Sequence, residues 1–95
     1  MKRWRFTPAA RGDMEAIWHY TADRWGIDQA ERYIRQVEHD LAAAAADSPL
    51  VRPLDAYLRI KSGHHVCIFR KQPDGQIVVV RVLHERMDVK TKLGD

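Results

Sequence analysis

The sequence is poor in the residues that thiol and metal chemistry need. Cys67 is its single cysteine. No intrachain disulfide can form, and a lone thiol suits a reducing cytoplasm. Common zinc sites are excluded as well. The five histidines do not replace the missing thiols, because no pair has the usual ligand spacing. His64 and His65 are adjacent and would point to opposite sides of a strand. No metal and no cofactor are therefore expected. There is no G-x-S-x-G turn for a nucleophilic serine and no glycine-rich loop to cradle a phosphate. No apolar run approaches the roughly 18 residues of a membrane span, so no membrane partner is expected. The start, MKRWRFTP, is basic but is followed by Ala-Ala-Arg-Gly-Asp instead of an apolar stretch, and no signal peptide is read from it.

What remains is a globular composition. The 95 residues are 45% hydrophobic and 31% charged, which suits one domain with one modest core. The net charge of +3 hides an uneven distribution. Residues 1–11 carry four basic side chains and no acid; residues 12–58 have four arginines against nine acids; residues 59–95 have eight basic side chains against four acids. If the fold joins the two basic ends, one face will be positive. Such a face suits nucleic acid or an acidic protein segment, or is simply a solvated surface.

Periodicity gives the elements. Residues 2–7, KRWRFT, alternate basic side chains with Trp4 and Phe6, which predicts a strand. Thr7-Pro8 reads as a helix cap and first helical residue. Met14, Ile17, Trp18, Thr21, Ala22 and Trp25 recur at helical spacing and predict a helix over 8–25, closed by Gly26. Asp28 with Glu31 predicts a capping-box start for a second helix. Its stripe is Ala30, Ile34, Val37, Leu41 and Ala44, with Tyr33 beside it, and Asp47-Ser48-Pro49 ends it. The short link predicts an antiparallel helical hairpin. Residues 49–56, with two prolines, read as a loop. Strands are predicted at 57–61, 65–71 and 76–83, the last apolar enough to be central. The final dozen residues read as a short, partly ordered tail. The fold class is α+β: β-α-α-β-β-β, a helical hairpin packed on a small, mostly antiparallel sheet.

Few residues suggest bond chemistry. Cys67 sits mid-strand among apolar neighbours and reads as a small buried hydrophobe. Trp18 and Trp25 fall on the helix stripe and read as core; Trp4 is similar, though a terminal strand could expose it. The remaining candidates are Arg59, Lys61, Arg70, Lys71, Arg81 and Arg86, with His84. RNA cleavage needs a base, an acid and cations to stabilise the phosphorane. Parity on an unbroken third strand puts Ile77, Val79, Arg81 and Leu83 on one face. Val78, Val80, Val82 and His84 take the other. Arg81 and His84 would not converge on one phosphate. Arg81 instead reads as a partly buried cation seeking an acid, with Asp88 or Glu85 as candidates.

The stretch Ile77 to Asp88, I-V-V-V-R-V-L-H-E-R-M-D, resembles the C-terminal signature of the ParE toxins of the RelE/ParE superfamily. The resemblance extends to the basic first strand and to the helix carrying Asp13, Ile17 and Trp18. It continues through Trp25-Gly26, the Pro49…Arg52-Pro53 loop and Gly63-His64-His65-Val66. It implies a RelE/ParE-like toxin domain over residues 1–95, in the cytoplasm. The implied partner is a ParD-like antitoxin with a ribbon-helix-helix part and a tail that wraps the toxin. The implied target is DNA gyrase, with no catalytic residue. The RelE branch, which cuts mRNA in the ribosome, is the alternative. Two details point to ParE: no tyrosine follows Tyr57, and Glu-Arg-Met-Asp follows His84. In one departure, Phe69 and Arg70 lie where the family often has a tyrosine. On this reading His84, Arg86 and Lys90 recognise the target, supported by Arg59 and Arg70. Arg81 and Asp88 anchor the tail. Direct nucleic-acid binding is not called for. An acidic amphipathic antitoxin segment is expected on the positive sheet face and beside the hairpin, by helix-in-groove or strand addition.

Overall fold

The computed structural model describes residues 3–93; Lys2, at the start of the predicted first strand, lies outside them. The element order is β1 (Trp4–Phe6), α1 (Pro8–Trp25), α2 (Ile27–Ala45), β2 (Arg52–Leu54), β3 (Tyr57–Ser62), β4 (His65–Lys71), β5 (Ile77–His84) and α3 (Val89–Leu93).

Thr7 starts α1 as its sequence context predicts. Its Oγ1 accepts the Ala10 N–H at 3.1 Å, and Pro8 follows at a position that has no hydrogen bond to lose. The buried residues of α1 are Ala10, Met14, Ile17 and Thr21, one stripe at steps of three and four. The Thr21 hydroxyl is satisfied inside that stripe by the Ile17 carbonyl at 2.7 Å. Gly26 turns the chain with φ +93°, accessible at little cost only without a Cβ. Its carbonyl accepts the Ala30 N–H, so it also opens α2. The expected Asp28 capping box is not formed: no side chain caps α2, and Gly26 is its N-cap.

The sheet order is β1-β5-β4-β3-β2. All pairs are antiparallel except β1 with β5, which run parallel with Trp4 opposite Ile77 and Phe6 opposite Val79. The first and last strands are thus neighbours, and β4, not β5, is the central strand. Two segments expected to be irregular are ordered. Residues 52–54 form the edge strand β2, where Pro53 sits at the sheet edge. Residues 89–93 form α3. The hairpin covers one face of the sheet. Met14, Ile17, Val37 and Leu41 meet Ile60, Cys67, Phe69 and Val79 there. Phe69 is among the largest fully buried side chains, so the phenol-to-phenyl departure leaves packing intact. A smaller cluster on the opposite face joins Val66, Ile68 and Leu83 to Val89 and Leu93 of α3. No helix among the described residues is long and apolar enough to cross a membrane.

Candidate functional site

A β-bulge decides what each residue of β5 faces. Ile68 lies opposite Arg81 and Phe69 opposite Val79, so Val80 is an extra residue with no partner of its own. Before the bulge, Ile77 and Val79 face the helices; after it Val82 does, while Val80 and Leu83 join the opposite cluster. Unbroken parity, which put Leu83 with Val79, fails at this point. Arg81 and His84 still lie on opposite faces. Arg81 pairs with Ile68 of the outer cluster, and His84 pairs with His65 on the helix side.

The acid that Arg81 needs is Asp13 of α1. Arg81 Nε and Nη2 donate to the Asp13 carboxylate at 2.7 and 2.9 Å, and Oδ2 also accepts the Val82 N–H at 2.9 Å. β1 covers β5 only as far as Val79, so the next stretch of edge needs other partners. Thr7 supplies them at Val79 and Val80, and Asp13 at Val82. The hydrogen bonding of Arg81 to the Asp13 carboxylate holds the guanidinium more firmly protonated than usual for arginine.

The expected Arg81–Asp88 anchor is not what holds the tail. Asp88 instead begins α3, where its carboxylate accepts the Thr91 hydroxyl at 2.7 Å and the Thr91 N–H at 3.3 Å. Glu85 ties the segment back to the sheet, with Lys61 Nζ at 3.1 Å and His64 Nδ1 at 3.0 Å. Those two partners hold its carboxyl below the usual glutamate range, His64 contributing most.

Three histidines converge where β3 and β5 end and β4 begins. The His65 and His84 rings are edge-to-face at 5.4 Å, and His64 stacks on His84 at 6.4 Å. Tyr33 of α2 fastens the group. Its hydroxyl lies 2.6 Å from His65 Nδ1, 3.0 Å from the His64 N–H and 3.3 Å from the Ser62 carbonyl. All three contacts are satisfied when His65 Nδ1 and the His64 amide donate to the phenol and the phenol donates to Ser62. The His84 Nδ1 accepts the Arg86 N–H at 3.2 Å, so the ring in its neutral form carries its proton on Nε2. Burial, then the neighbouring His84 and His64, pushes the His65 pKa down; burial pushes the Tyr33 pKa up. Gly63 makes the close approach possible, since a Cβ there would stand 2.7 Å from the Tyr33 ring.

These histidines form one wall of a cavity of about 520 Å³. The other wall is the hairpin turn, with Tyr20, Trp25, Gln29 and Arg32. Trp25 is 63% exposed, which corrects the expectation that it is core. It lies about one helical turn past the buried Ala10–Thr21 stripe, at the last residue of α1. Trp18 is half-buried.

The remaining expected site residues do not share this wall. Arg59, opposite Ile68, lies on the sheet face away from the helices. Arg70 is exposed, with its guanidinium 5.2 Å from the Tyr57 ring centre. Arg86 is exposed in the turn after β5. Lys90 is in α3, and its side chain lies outside what is described. His84 is therefore separated by the sheet from Arg59 and Arg70. Cys67 is buried and its thiol pKa is pushed up to about 12, so it is no nucleophile. Among the described residues no group of histidine, cysteine, aspartate or glutamate is arranged to hold a metal ion.

Sequence reasoning missed Asp13, Tyr33 and the hairpin turn as parts of this region. Asp13 borders the buried stripe of α1, and an arginine in an apolar strand demanded an acid; together these were the available signal.

Comparison with known proteins shows the family. The family described as the ParE toxin of the type II toxin–antitoxin system, parDE, matches residues 4–89. The chain is 43% identical over 95 residues to Toxin ParE1 of Mycobacterium tuberculosis, covering 96% of this chain and 97% of that one. Among solved structures, a chain of the chromosomal ParDE toxin–antitoxin system from P. aeruginosa superposes with a TM-score of 0.72. It has 16% identity and covers 85% and 92% of the two chains. A chain of the RelBE2 toxin–antitoxin complex from Mycobacterium tuberculosis shares the fold with a TM-score of 0.59 and 19% identity, covering 85% and 94%. With the family matched over nearly its full length, this chain belongs to the ParE toxins of bacterial type II toxin–antitoxin systems.

Proposed function

We propose that this protein is held inactive by a ParD-like antitoxin and, when released, poisons DNA gyrase by surface recognition in the bacterial cytoplasm. The match to the ParE family over residues 4–89 carries this reading. The disposition of the polar groups supports recognition over catalysis. Arg81 is bound to Asp13, the Tyr33 phenol is engaged by the sheet, and Cys67 is buried. His84 and the exposed Arg86 form the recognising element, with the Lys90 segment beside them. Arg59 and Arg70 of the outer face serve a second contact, suited to an acidic antitoxin segment. Added stability in the presence of the neighbouring gene's product is expected, and its absence would count against the toxin assignment.

A second reading, ribosome-dependent mRNA cleavage of the RelE kind, draws on one observation: the His65 and His84 rings lie 5.4 Å apart beside the cavity. Brief expression in bacteria separates the two. Gyrase-linked DNA breaks with intact mRNA are expected; cut ribosome-bound mRNA without such breaks would sink the gyrase reading. If His84→Ala removed mRNA cutting, the histidine would be assigned to catalysis.

A further inference from the structure

The cavity between the hairpin turn and the three histidines is not required by the gyrase reading, although His84 belongs to both. Its volume, about 520 Å³, is within the range of small-ligand sites, roughly 300–1,000 Å³. Its chemistry is two-sided. Trp25 and Tyr20 are 63% and 58% exposed, and their rings meet edge-on at 6.3 Å, so neither stacks face to face on the other. The Arg24 guanidinium lies 5.3 Å from the Tyr20 ring centre and 5.6 Å from that of Trp25. Arg32 stands beside the rings on the hairpin wall, and the three histidines face them. Arg32 is exposed and makes no ion pair among the described residues, whereas its neighbour Glu31 is taken by Arg35 at 3.3 Å. His65 and His84 each direct one ring nitrogen to a neighbour, Tyr33 and the Arg86 amide, which leaves each a second nitrogen. No carboxylate lines the cavity among the described residues.

We propose that this cavity is a nucleotide cleft: it takes a single nucleotide unit, with the base stacked on Trp25, Tyr20 against its edge, and the phosphate met by Arg32 and His64. Stacking on an exposed indole is open to any base, because every base has a π-face. The guanidinium recognises phosphate oxygens in pairs, and the remaining imidazole nitrogens hydrogen-bond the sugar or base edge. A compact cleft with rings and a guanidinium on one wall and imidazoles on the other matches a flat group joined to an anion. An extended acidic peptide would instead call for a groove running along an element. The unit is either a free nucleotide or the end of a single DNA strand; the chemistry is shared.

The test uses the full chain and follows the tryptophan indole and histidine ring signals by NMR. The probes are deoxyadenosine monophosphate, deoxyadenosine, inorganic phosphate and a short 5′-phosphorylated oligo-dA strand. Shifts at Trp25, His64 and His84 are expected with the monophosphate, the strand, or both. A response to the strand alone assigns the source to DNA ends, and a response to the monophosphate assigns it to free nucleotides. Trp25→Ala is expected to weaken binding about tenfold or more. Arg32→Gln is expected to remove the advantage of the monophosphate over deoxyadenosine. Both positions are exposed, and an unchanged melting temperature shows that each variant is folded. The proposal is overturned if neither the monophosphate nor the strand moves these signals at millimolar concentration. It is equally overturned if shifts centre on Arg59 and Arg70, or if deoxyadenosine or phosphate alone binds as well as the monophosphate.

Discussion

The two faces of the sheet share their strands and differ in what closes them. On the helix side, side chains from β1, β3, β4 and β5 meet both long helices, and Val37, Leu41, Cys67 and Val79 are fully sealed. On the other side, Val66, Ile68 and Leu83 are closed by the edges of Leu54, Tyr57, Val80, Val89 and Leu93, and by one short helix. The first face holds the molecule together. The second is a thin apolar layer carrying Arg59 and Arg70. A mutation in either face therefore reports a different thing: global stability on the helix side, local closure on the other.

Phe69→Ala should break this comparison most severely. It removes a ring that is 1% exposed at the middle of the helix-side core, and a loss of about 3–5 kcal/mol is expected. Urea unfolding would read it as a lower midpoint with an unchanged slope. Asp13→Asn comes next. It weakens three hydrogen bonds at the edge of β5 and leaves Arg81 without its counter-charge, at an expected cost of about 2–3 kcal/mol. Hydrogen exchange at the Val82 amide should rise more than at the Thr7 amide, which keeps the Val79 carbonyl as its acceptor.

Leu93→Ala tests the thinner face and should cost about 1 kcal/mol, as its side chain is only partly buried. The expected signature is faster exchange across α3 with little change in the global midpoint. The smallest effect is the pH dependence from His65. Burial, His84 and His64 hold its pKa below the ordinary 6.5. The unfolded chain then takes up the proton first, so stability present above pH 6.5 is lost as pH falls from there toward the folded-state pKa. His65→Gln should flatten that part of the curve; a profile unchanged by the substitution would remove His65 as its cause.

Much of the fold was legible because its signals are local. The α1 stripe, the Thr7-Pro8 cap and three alternating strands each lie within one segment. The misses were not local. β2 is a strand only because β3 gives it a partner, and two prolines nearby argue for a loop. α3 is ordered by the outer cluster and by the Asp88 cap. Trp25 fits a helical stripe by number, yet the sheet ends before reaching it. The site was less legible still. His84 was found through its charged surroundings, but Tyr33 and Asp13 come from distant helices. The bulge that sorts the faces depends on a pairing between strands, not on any feature of β5 alone.

That bulge gives one residue an influence out of proportion to its contacts. Val80 works as a half-turn of a key: everything after it is rotated relative to everything before. Regular pairing straight through Val80, with no bulge, would keep the composition of RVLHERMD and exchange its sides. His84 would be delivered to the face of Arg59 and Arg70, and Leu83 to the core. Which molecules the end of this chain can address is therefore encoded in how the strand ahead of it is paired as much as in the identity of its residues.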